Sequence, residues 1–337
     1  MQHPAPQKTR LVALDAVRGL AIVLVIIFHY LHDRLFGGVA NIVTGPLGLG
    51  GVTLFFMLSG FLIERHLARD ANLIRFYGRR LFRILPAYIV CLAAVVAIGR
   101  ASGTSEDWTP FTVTVNALML QDVFGVHLML GVIWTLLIEI KFYALAPFVT
   151  RAGPLALRLA PYAAIALNAL IFATRGQAST LLTYLTFCFV GMQLGPWMRG
   201  ELSTLAVAAL MAATAVATYL FAIFFALGLA IFVVVNVIIL AAALTRPIAI
   251  PVLPFLGKVS YSWYLYHPAV GYPILALVYA ALGTSGAAQI TAVAAATIAS
   301  LLSAWLSFAL IERPGNNAWL KSETYLQLPP PPAKLAG

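Results

Sequence analysis

The sequence predicts an all-α protein, a polytopic transmembrane helical bundle of about ten spans with both termini in the cytoplasm. Of its 337 residues, 62% are hydrophobic and only 9% are charged, whereas soluble domains carry about 25% charged residues. Apolar runs of about 20 residues recur, the length of a spanning helix, and the ten-residue alternation of barrel strands is missing. Lysine and arginine are concentrated in alternate connections, as the positive-inside rule requires.

The apolar runs place the spans at about 11–31, 48–65, 84–99, 131–149, 157–174, 179–198, 203–219, 221–244, 259–282 and 287–311. With the N-terminus in the cytoplasm, 17 of the 21 lysines and arginines lie inside and only Arg34, Arg100 and Arg175 lie outside. Lys141 falls within a span. This asymmetry predicts a multi-pass protein of the cytoplasmic (inner) membrane.

The chain divides by composition into a cytoplasmic segment (1–10), a transmembrane domain (11–314) and a Pro-rich cytoplasmic tail (315–337) that we expect to be disordered. The first span keeps Asp15 and Arg18 and has no cleavage site, which predicts a retained helix and not a signal peptide. Cys91 and Cys188 lie in apolar runs, so neither a disulfide nor a metal site is predicted. The net charge of +10 is explained by membrane loops, and nucleic acid is not an expected partner.

Two ionisable residues in the first span, Arg18 and His29, are the first indication of function. They are eleven residues apart, or about 16 Å along a helix. Ionisable groups within a span are costly and usually face a protein interior or a water-filled cavity. The topology places Arg18 near the cytoplasmic face and His29 in the outer half.

We interpret His29 as a candidate general base, since a neutral imidazole serves this role near pH 7. Asp33 follows at i+4 and is a candidate partner for it. Glu139, about 12 Å into its span, is a second candidate catalytic group at a similar depth and a possible partner of His29 or Lys141. The alternatives are an interfacial histidine at a helix end and a structural ion pair of Glu139.

The cytoplasmic connection 65–83 is rich in arginine. Arg79, Arg80 and Arg83 fall at helical spacing in GRRLFRILPAY, and Arg18 lies on the same side of the membrane. Guanidinium groups bind phosphate through paired hydrogen bonds, so the cluster predicts a cytosolic ligand with several phosphates. The alternative is the positive-inside rule together with contacts to membrane lipids.

A second polar stretch, GKVSYSWYLYHPAV (257–270), opens the ninth span and includes Ser260, Tyr261 and His267. It predicts either a polar cavity lining that touches an acceptor or a set of interhelical hydrogen bonds around a proline-adjusted helix. Trp134 and Tyr143, on either side of Glu139, are further candidates for this lining. The apolar segment 111–120 of the outer loop is too short to span and is expected to lie in the interface or to re-enter.

Several motifs together resemble the membrane acyltransferase-3 family. LDAVRGLAIVLVIIFHY resembles its opening helix and GVTLFFMLSGFLI its second helix. RRLFRILPAY resembles its cytoplasmic Arg-x-x-Arg motif, here Arg80 and Arg83, and WTLLIEIKFY its Trp…Glu…Phe-Tyr stretch. GKVSYSWYLYHP and IERP resemble its last two helices. The resemblance covers about residues 11–314, and these stretches follow one another in the family's order.

The resemblance implies an acyltransferase that moves an acyl group, expected to be acetyl, from cytoplasmic acyl-CoA to a carbohydrate or glycolipid acceptor at the outer side of the membrane. Acyl-CoA is then a substrate, and no bound cofactor is expected. Some members carry an appended SGNH-type domain, and none is expected in this chain. A proton-coupled transporter using His29, Glu139 and His267 is the alternative, although internal repeats and paired broken helices are not evident.

Overall fold

The computed structural model describes residues 7–31, 38–103, 108–221, 226–246 and 250–325, and these contain helices and no strand. The helices are α1 (Gln7–Leu31), α2 (Gly38–Leu67), α3 (Leu73–Ala101), α4 (Pro110–Ala117), α5 (Gln121–Phe124), α6 (Ile133–Arg151), α7 (Pro154–Arg175), α8 (Thr180–Met198), α9 (Thr204–Phe221), α10 (Ala226–Thr245), α11 (Val252–Tyr266), α12 (Tyr272–Leu282), α13 (Gly286–Ser307) and α14 (Arg313–Tyr325). Two π-helical turns, His267–Gly271 and Phe308–Glu312, join α11 to α12 and α13 to α14.

The predicted all-α class is confirmed. The described residues contain ten stretches long and apolar enough to cross a membrane, as predicted: Val12–Leu31, Gly45–Leu67, Leu73–Ala101, Ile133–Arg151, Pro154–Arg175, Thr180–Met198, Thr204–Phe221, Ala226–Thr245, Val252–Leu282 and Gly286–Glu323. The orientation of the termini stays a prediction.

The chain divides into two compact units. The first comprises residues 1–73, 138–260 and 331–337 and is built around α2, which packs against α1, α8 and α10. Glycines bring two of its helices into backbone contact: a Cβ at Gly60 of α2 would collide with the carbonyl oxygen of Cys188, and one at Gly191 of α8 with that of Met57. Such small residues let membrane helices approach closely.

The second unit comprises residues 74–137 and 261–330. Asn116 organises its predicted outer loop. The Asn116 side-chain amide donates to the carbonyl of His127 over 3.1 Å, and its Oδ1 accepts from Gln121 Nε2 and from the Met129 backbone N–H. Tyr88 of α3 donates to the Asn116 carbonyl over 2.7 Å. These bonds join the short helix α4 to α3 and to the residues that follow it, within the apolar segment that the sequence predicted to be too short to span.

Two sequence expectations need correction. The predicted cytoplasmic loop ending at residue 83 is helical from Leu73, so its arginines from Arg75 onward lie on one continuous helix, α3. Arginine is a good helix former, and Pro86 is accommodated inside α3, as membrane helices often allow. The tail expected to be disordered from residue 315 begins as helix α14, with Pro314 in the first turn, where proline is tolerated. The proline run 329–332 lies outside the described residues.

Candidate functional site

His29 lies two residues before the end of α1 and is partly buried. Its Nδ1 lies 2.9 Å from the carbonyl oxygen of Val25, one turn earlier. A carbonyl oxygen only accepts hydrogen bonds, so Nδ1 carries the hydrogen, and Nε2 is the basic nitrogen of the neutral ring. The backbone of α1 therefore selects the tautomer that a general base requires.

Glu139, on α6, is held by two hydroxyl groups. Ser59 Oγ of α2 donates to Glu139 Oε1 over 2.8 Å, and Tyr143 OH, one turn further along α6, donates to the same oxygen. Both donors are neutral hydroxyl groups. Tyr143, predicted as a cavity-lining residue, is therefore a direct partner of Glu139. Ser59 was not predicted, since nothing in the sequence relates it to a residue 80 positions away.

The packing of α1 on α2 allows the separation between His29 and Glu139 along the helix axes to be estimated. A Cβ at Gly48 would collide with the Phe28 ring, and one at Gly51 would lie 2.6 Å from the Ala21 carbonyl oxygen, so the two helices run antiparallel. Ser59 is eleven residues beyond Gly48, which is about 16 Å along α2.

Eleven residues back from Phe28 on α1 is Val17. The Glu139 carboxylate thus lies near the level of Val17 along α1. The His29 ring is bound one turn back, at Val25, which brings it only about 5.4 Å closer to the level of that carboxylate. This register argues against the direct pairing of His29 with Glu139 that similar depths suggested. Asp33, the other predicted partner of His29, lies outside the described residues.

Arg18, predicted to help bind the donor, forms an ion pair with Asp15 one turn earlier, with 2.9 Å between Nη1 and Oδ1. The two side chains keep 20% and 24% of their surfaces exposed. A partly exposed pair three residues apart on one helix stabilises it only slightly. Arg18 stays a predicted donor contact.

The predicted arginine cluster lies on α3. Arg79 forms a two-point ion pair with Glu323 of α14, at 2.8 and 3.1 Å. Arg80 stacks over the Phe76 ring with 5.9 Å between the guanidinium carbon and the ring centroid, a cation–π contact. Arg83, one turn after Arg79, is partly buried. The sequence did not predict Glu323, which belongs to the segment expected to be disordered.

The polar stretch around α11 forms interhelical hydrogen bonds, one of the two alternatives left open by the sequence. Tyr261 OH donates to the Ile84 carbonyl over 2.8 Å, and Tyr264 OH donates to the Val132 carbonyl at the same distance. Thr135, next to Trp134 on α6, lies 2.7 Å from Tyr264 OH. Trp134 itself is partly buried.

Ser260 and His267, the remaining predicted lining residues, are buried. Ser260 donates to the Gly257 carbonyl within its own helix. His267 Nδ1 lies 2.8 Å from the Tyr264 carbonyl oxygen. His267 is the first residue of the π-helical turn that leads to α12. Such turns are frequent at functional sites. Glu312, in the second π-helical turn, is also buried and accepts from Ser262 Oγ over 2.9 Å. Its only sequence signal was its place in IERP.

A cavity of about 260 Å³ lies in the first unit, where α2, α6, α7 and α8 have their ends. Glu64, with 2% of its side chain exposed, is bound there by Arg199 at 2.7 Å, and Arg199 also pairs with Glu201 at 2.7 Å. The hydrogen bond from Arg199 lowers the pKa of Glu201. Glu64 is buried, and the Arg199 guanidinium holds its carboxylate in place.

Comparison with known families decides the class of the protein. The model of a family described as an acyltransferase domain, acyltransferase-3, matches residues 11–311. The chain belongs to the acyltransferase-3 family. The sequence resemblance to this family is thereby confirmed.

Curated relatives share parts of this acyltransferase domain. Nodulation protein 10 of Rhizobium leguminosarum bv. viciae is 29% identical over 136 residues, which is 33% of this chain and 37% of that protein. Peptidoglycan O-acetyltransferase OatA of Listeria monocytogenes is 28% identical over 158 residues, 40% of this chain and 23% of that protein. The chain thus spans well under half of these relatives' lengths. No solved structure matches this acyltransferase significantly.

Proposed function

We propose that this acyltransferase moves an acyl group, expected to be acetyl, from cytoplasmic acyl-CoA to a carbohydrate hydroxyl at the outer side of the inner membrane. The observation that carries the proposal is His29, whose Nδ1 is bound to the Val25 carbonyl so that Nε2 is the basic nitrogen. Family membership supplies the reaction class, and an imidazole in this tautomer supplies the base that class of reaction needs.

In this proposal His29 Nε2 takes the proton of the acceptor hydroxyl as its oxygen attacks the thioester carbon. The tetrahedral intermediate then expels the thiolate of CoA, and the imidazolium returns the proton to the sulfur. The C–S bond is exchanged for a C–O ester bond with no further co-reactant. An acyl-imidazole intermediate at the same nitrogen is the covalent variant of this scheme.

Glu139 has a separate role from His29. Its Oε1 is occupied by Ser59 and Tyr143, which holds the carboxylate in one orientation. A fixed carboxylate is suited to accept hydrogen bonds from the hydroxyl or amide groups of a bound substrate through its second oxygen. We assign it to substrate orientation and not to direct contact with the base.

Arg80 and Arg83 are assigned to the phosphates of acyl-CoA, together with Arg79 and Arg18. The support is the density of guanidinium groups on α3 and their agreement with the family's Arg-x-x-Arg motif. The carbohydrate acceptor is proposed because one relative is named for acetylating peptidoglycan. Trp134, Tyr261 and His267 are proposed to lie along the acceptor's path, and membrane lipids surround the bundle.

Purified protein in proteoliposomes with internal and external acetyl-CoA tests the proposal. Wild type should release CoA when a glycan acceptor is supplied, and His29→Ala should lower this rate by at least about 100-fold. His127→Ala, an exposed histidine of the outer loop, is the matched control and should match wild type. Wild-type turnover by His29→Ala would overturn the assignment. Transport of unmodified glycan without CoA release would favour the transporter instead.

A further inference from the structure

The C-terminal helix α14 packs on the arginine-bearing segment of α3, within the second unit. The Trp319 ring lies against Gly78 so closely that a Cβ there would collide with it, and its centroid is 5.4 Å from that of Phe82. Only 7% of Trp319 is exposed. This indole therefore anchors α14 to α3 through the largest apolar side chain that α14 carries.

Glu323, one turn after Trp319, accepts hydrogen bonds from Arg79 and Trp319 and also forms an ion pair with Arg75. Arg79 donates to both of its oxygens, at 2.8 Å from Nε and 3.1 Å from Nη2. Trp319 Nε1 donates to Oε1 over 2.6 Å, and Arg75 Nε lies 3.3 Å from Oε2. The Glu323 side chain is 14% exposed. Charge-assisted contacts of this kind are the strongest hydrogen bonds in proteins, so the carboxylate is held firmly.

Arg79 is bound by Glu323 along one edge only. The carboxylate takes Nε and one hydrogen of Nη2, while a guanidinium has five N–H donors in a rigid plane. The Arg79 side chain is 37% exposed, so the edge that includes Nη1 remains available for a second anion. Arg75, Arg79 and Glu323 together keep one net positive charge.

We infer that Glu323 is a positioning residue for donor binding: it fixes the Arg79 guanidinium so that its remaining edge binds a phosphate of acyl-CoA. The inference rests on the proposed function and extends it to α14, which the family match at residues 11–311 does not cover. A rigid fork loses less freedom on binding a phosphate than a mobile one, which strengthens binding.

The same ion pair has an opposite interpretation, in which Glu323 competes with the donor for Arg79. The geometry favours positioning, because displacing the carboxylate would break its bonds to Arg79 and Trp319 and its pairing with Arg75 at once. The two interpretations predict opposite changes in donor affinity, and this makes them separable by one substitution.

Steady-state kinetics with acetyl-CoA, and calorimetric titration of the purified protein with CoA alone, test the inference. Glu323→Ala should raise both KM for acetyl-CoA and the Kd for CoA about 5- to 20-fold, with kcat within about twofold. Glu323→Gln should give an intermediate KM. Arg79→Ala should weaken donor binding similarly, and Arg79→Ala with Glu323→Ala together should be no worse than Arg79→Ala alone.

Lys321→Ala, an exposed substitution on the same helix, is the control and should change neither constant. A lowered KM in Glu323→Ala would establish competition and overturn the inference. An unchanged KM and Kd with only a lower thermal midpoint would overturn it too, leaving Glu323 a structural role. Should Glu323→Ala not fold, Glu323→Gln decides between the same outcomes. Failure of the proposed function is distinct, because wild type itself would then neither bind CoA nor release it from acetyl-CoA.

Discussion

Ser59 Oγ donates to Glu139 Oε1 over 2.8 Å, and this bond joins α2 to α6. Because α2 also packs antiparallel to α1, the bond sets the depth of the Glu139 carboxylate near Val17 and well away from His29. In the proposed function, His29 and Glu139 therefore act on different parts of the substrates.

Removing the Ser59 hydroxyl should misplace the carboxylate without touching the base. We expect Ser59→Ala to lower kcat/KM by about 10-fold, the worth of one hydrogen bond to a charged group, and Glu139→Ala by more. The double variant should resemble Glu139→Ala, since the two residues act as a unit. Thr53→Ser, on the same helix and bonded only within it, is the control. Fully additive losses would contradict this relationship.

The arginines of the Arg-x-x-Arg motif should affect donor binding more than chemistry. Arg80→Ala with Arg83→Ala is expected to raise the Kd for CoA at least about 10-fold, because two phosphate contacts are lost. Titration of purified protein measures this directly. Arg175→Ala removes a charge at the far end of α7 and should leave the Kd unchanged. An unaltered Kd in the double variant would remove these residues from the donor site.

The contact between α2 and α8 should not tolerate a side chain at Gly191. A Cβ there would collide with the Met57 carbonyl, and we expect Gly191→Ala to destabilise the fold by about 2 kcal/mol. Thermal unfolding in detergent measures the effect. Gly131→Ala is the control, since nothing lies within 4 Å of a Cβ at that position. Equal thermal midpoints for the two variants would show that the helices can separate at little cost.

Arg199 should matter for stability because Glu64 is buried. Arg199→Ala leaves a carboxylate with 2% exposure without its cation, and we expect a loss of about 2–3 kcal/mol after discounting for the 40% exposure of Arg199. Adding Glu64→Gln should recover part of this loss by removing the buried charge. If the double variant were less stable than Arg199→Ala, the loss would have another origin.

The Arg199–Glu201 pair should make stability depend on pH. Arg199 lowers the pKa of Glu201 in the folded protein, so the unfolded chain binds the proton at higher pH. The contribution of Glu201 is therefore present above its unfolded pKa and is lost as the pH falls through the folded pKa. At pH 7 the wild-type protein should have a higher thermal midpoint of unfolding than Glu201→Gln, and this difference should vanish at strongly acidic pH. A difference that grows on acidification would contradict the assignment.

The ten spans were predictable because hydropathy and length determine them almost alone, as in Ala226–Thr245. The depth of each side chain in the membrane was harder to predict. Counting residues inward from the end of each span assumes that all spans begin at the same height. The bond from Ser59 to Glu139 shows that the spans of α2 and α6 do not meet this assumption.

Partners across long sequence separations were not predictable either. Arg79 and Glu323 are 244 residues apart, and the short, polar segment of α14 resembled a disordered tail because its stability comes from packing Trp319 on α3. The chemistry of single residues was easier to predict. His29 could be identified as a functional candidate because it is an ionisable residue within a spanning segment.

The contacts at Gly60 and Gly191 also limit how α2 and α8 can move. Each glycine receives a carbonyl of the opposite helix, so sliding α2 along α8 by one turn would drive a side chain into that carbonyl. Packed helices switch between discrete arrangements and do not deform continuously. The position of α2 along α8 is therefore fixed, and any opening that admits a substrate in the proposed function has to come from other helices.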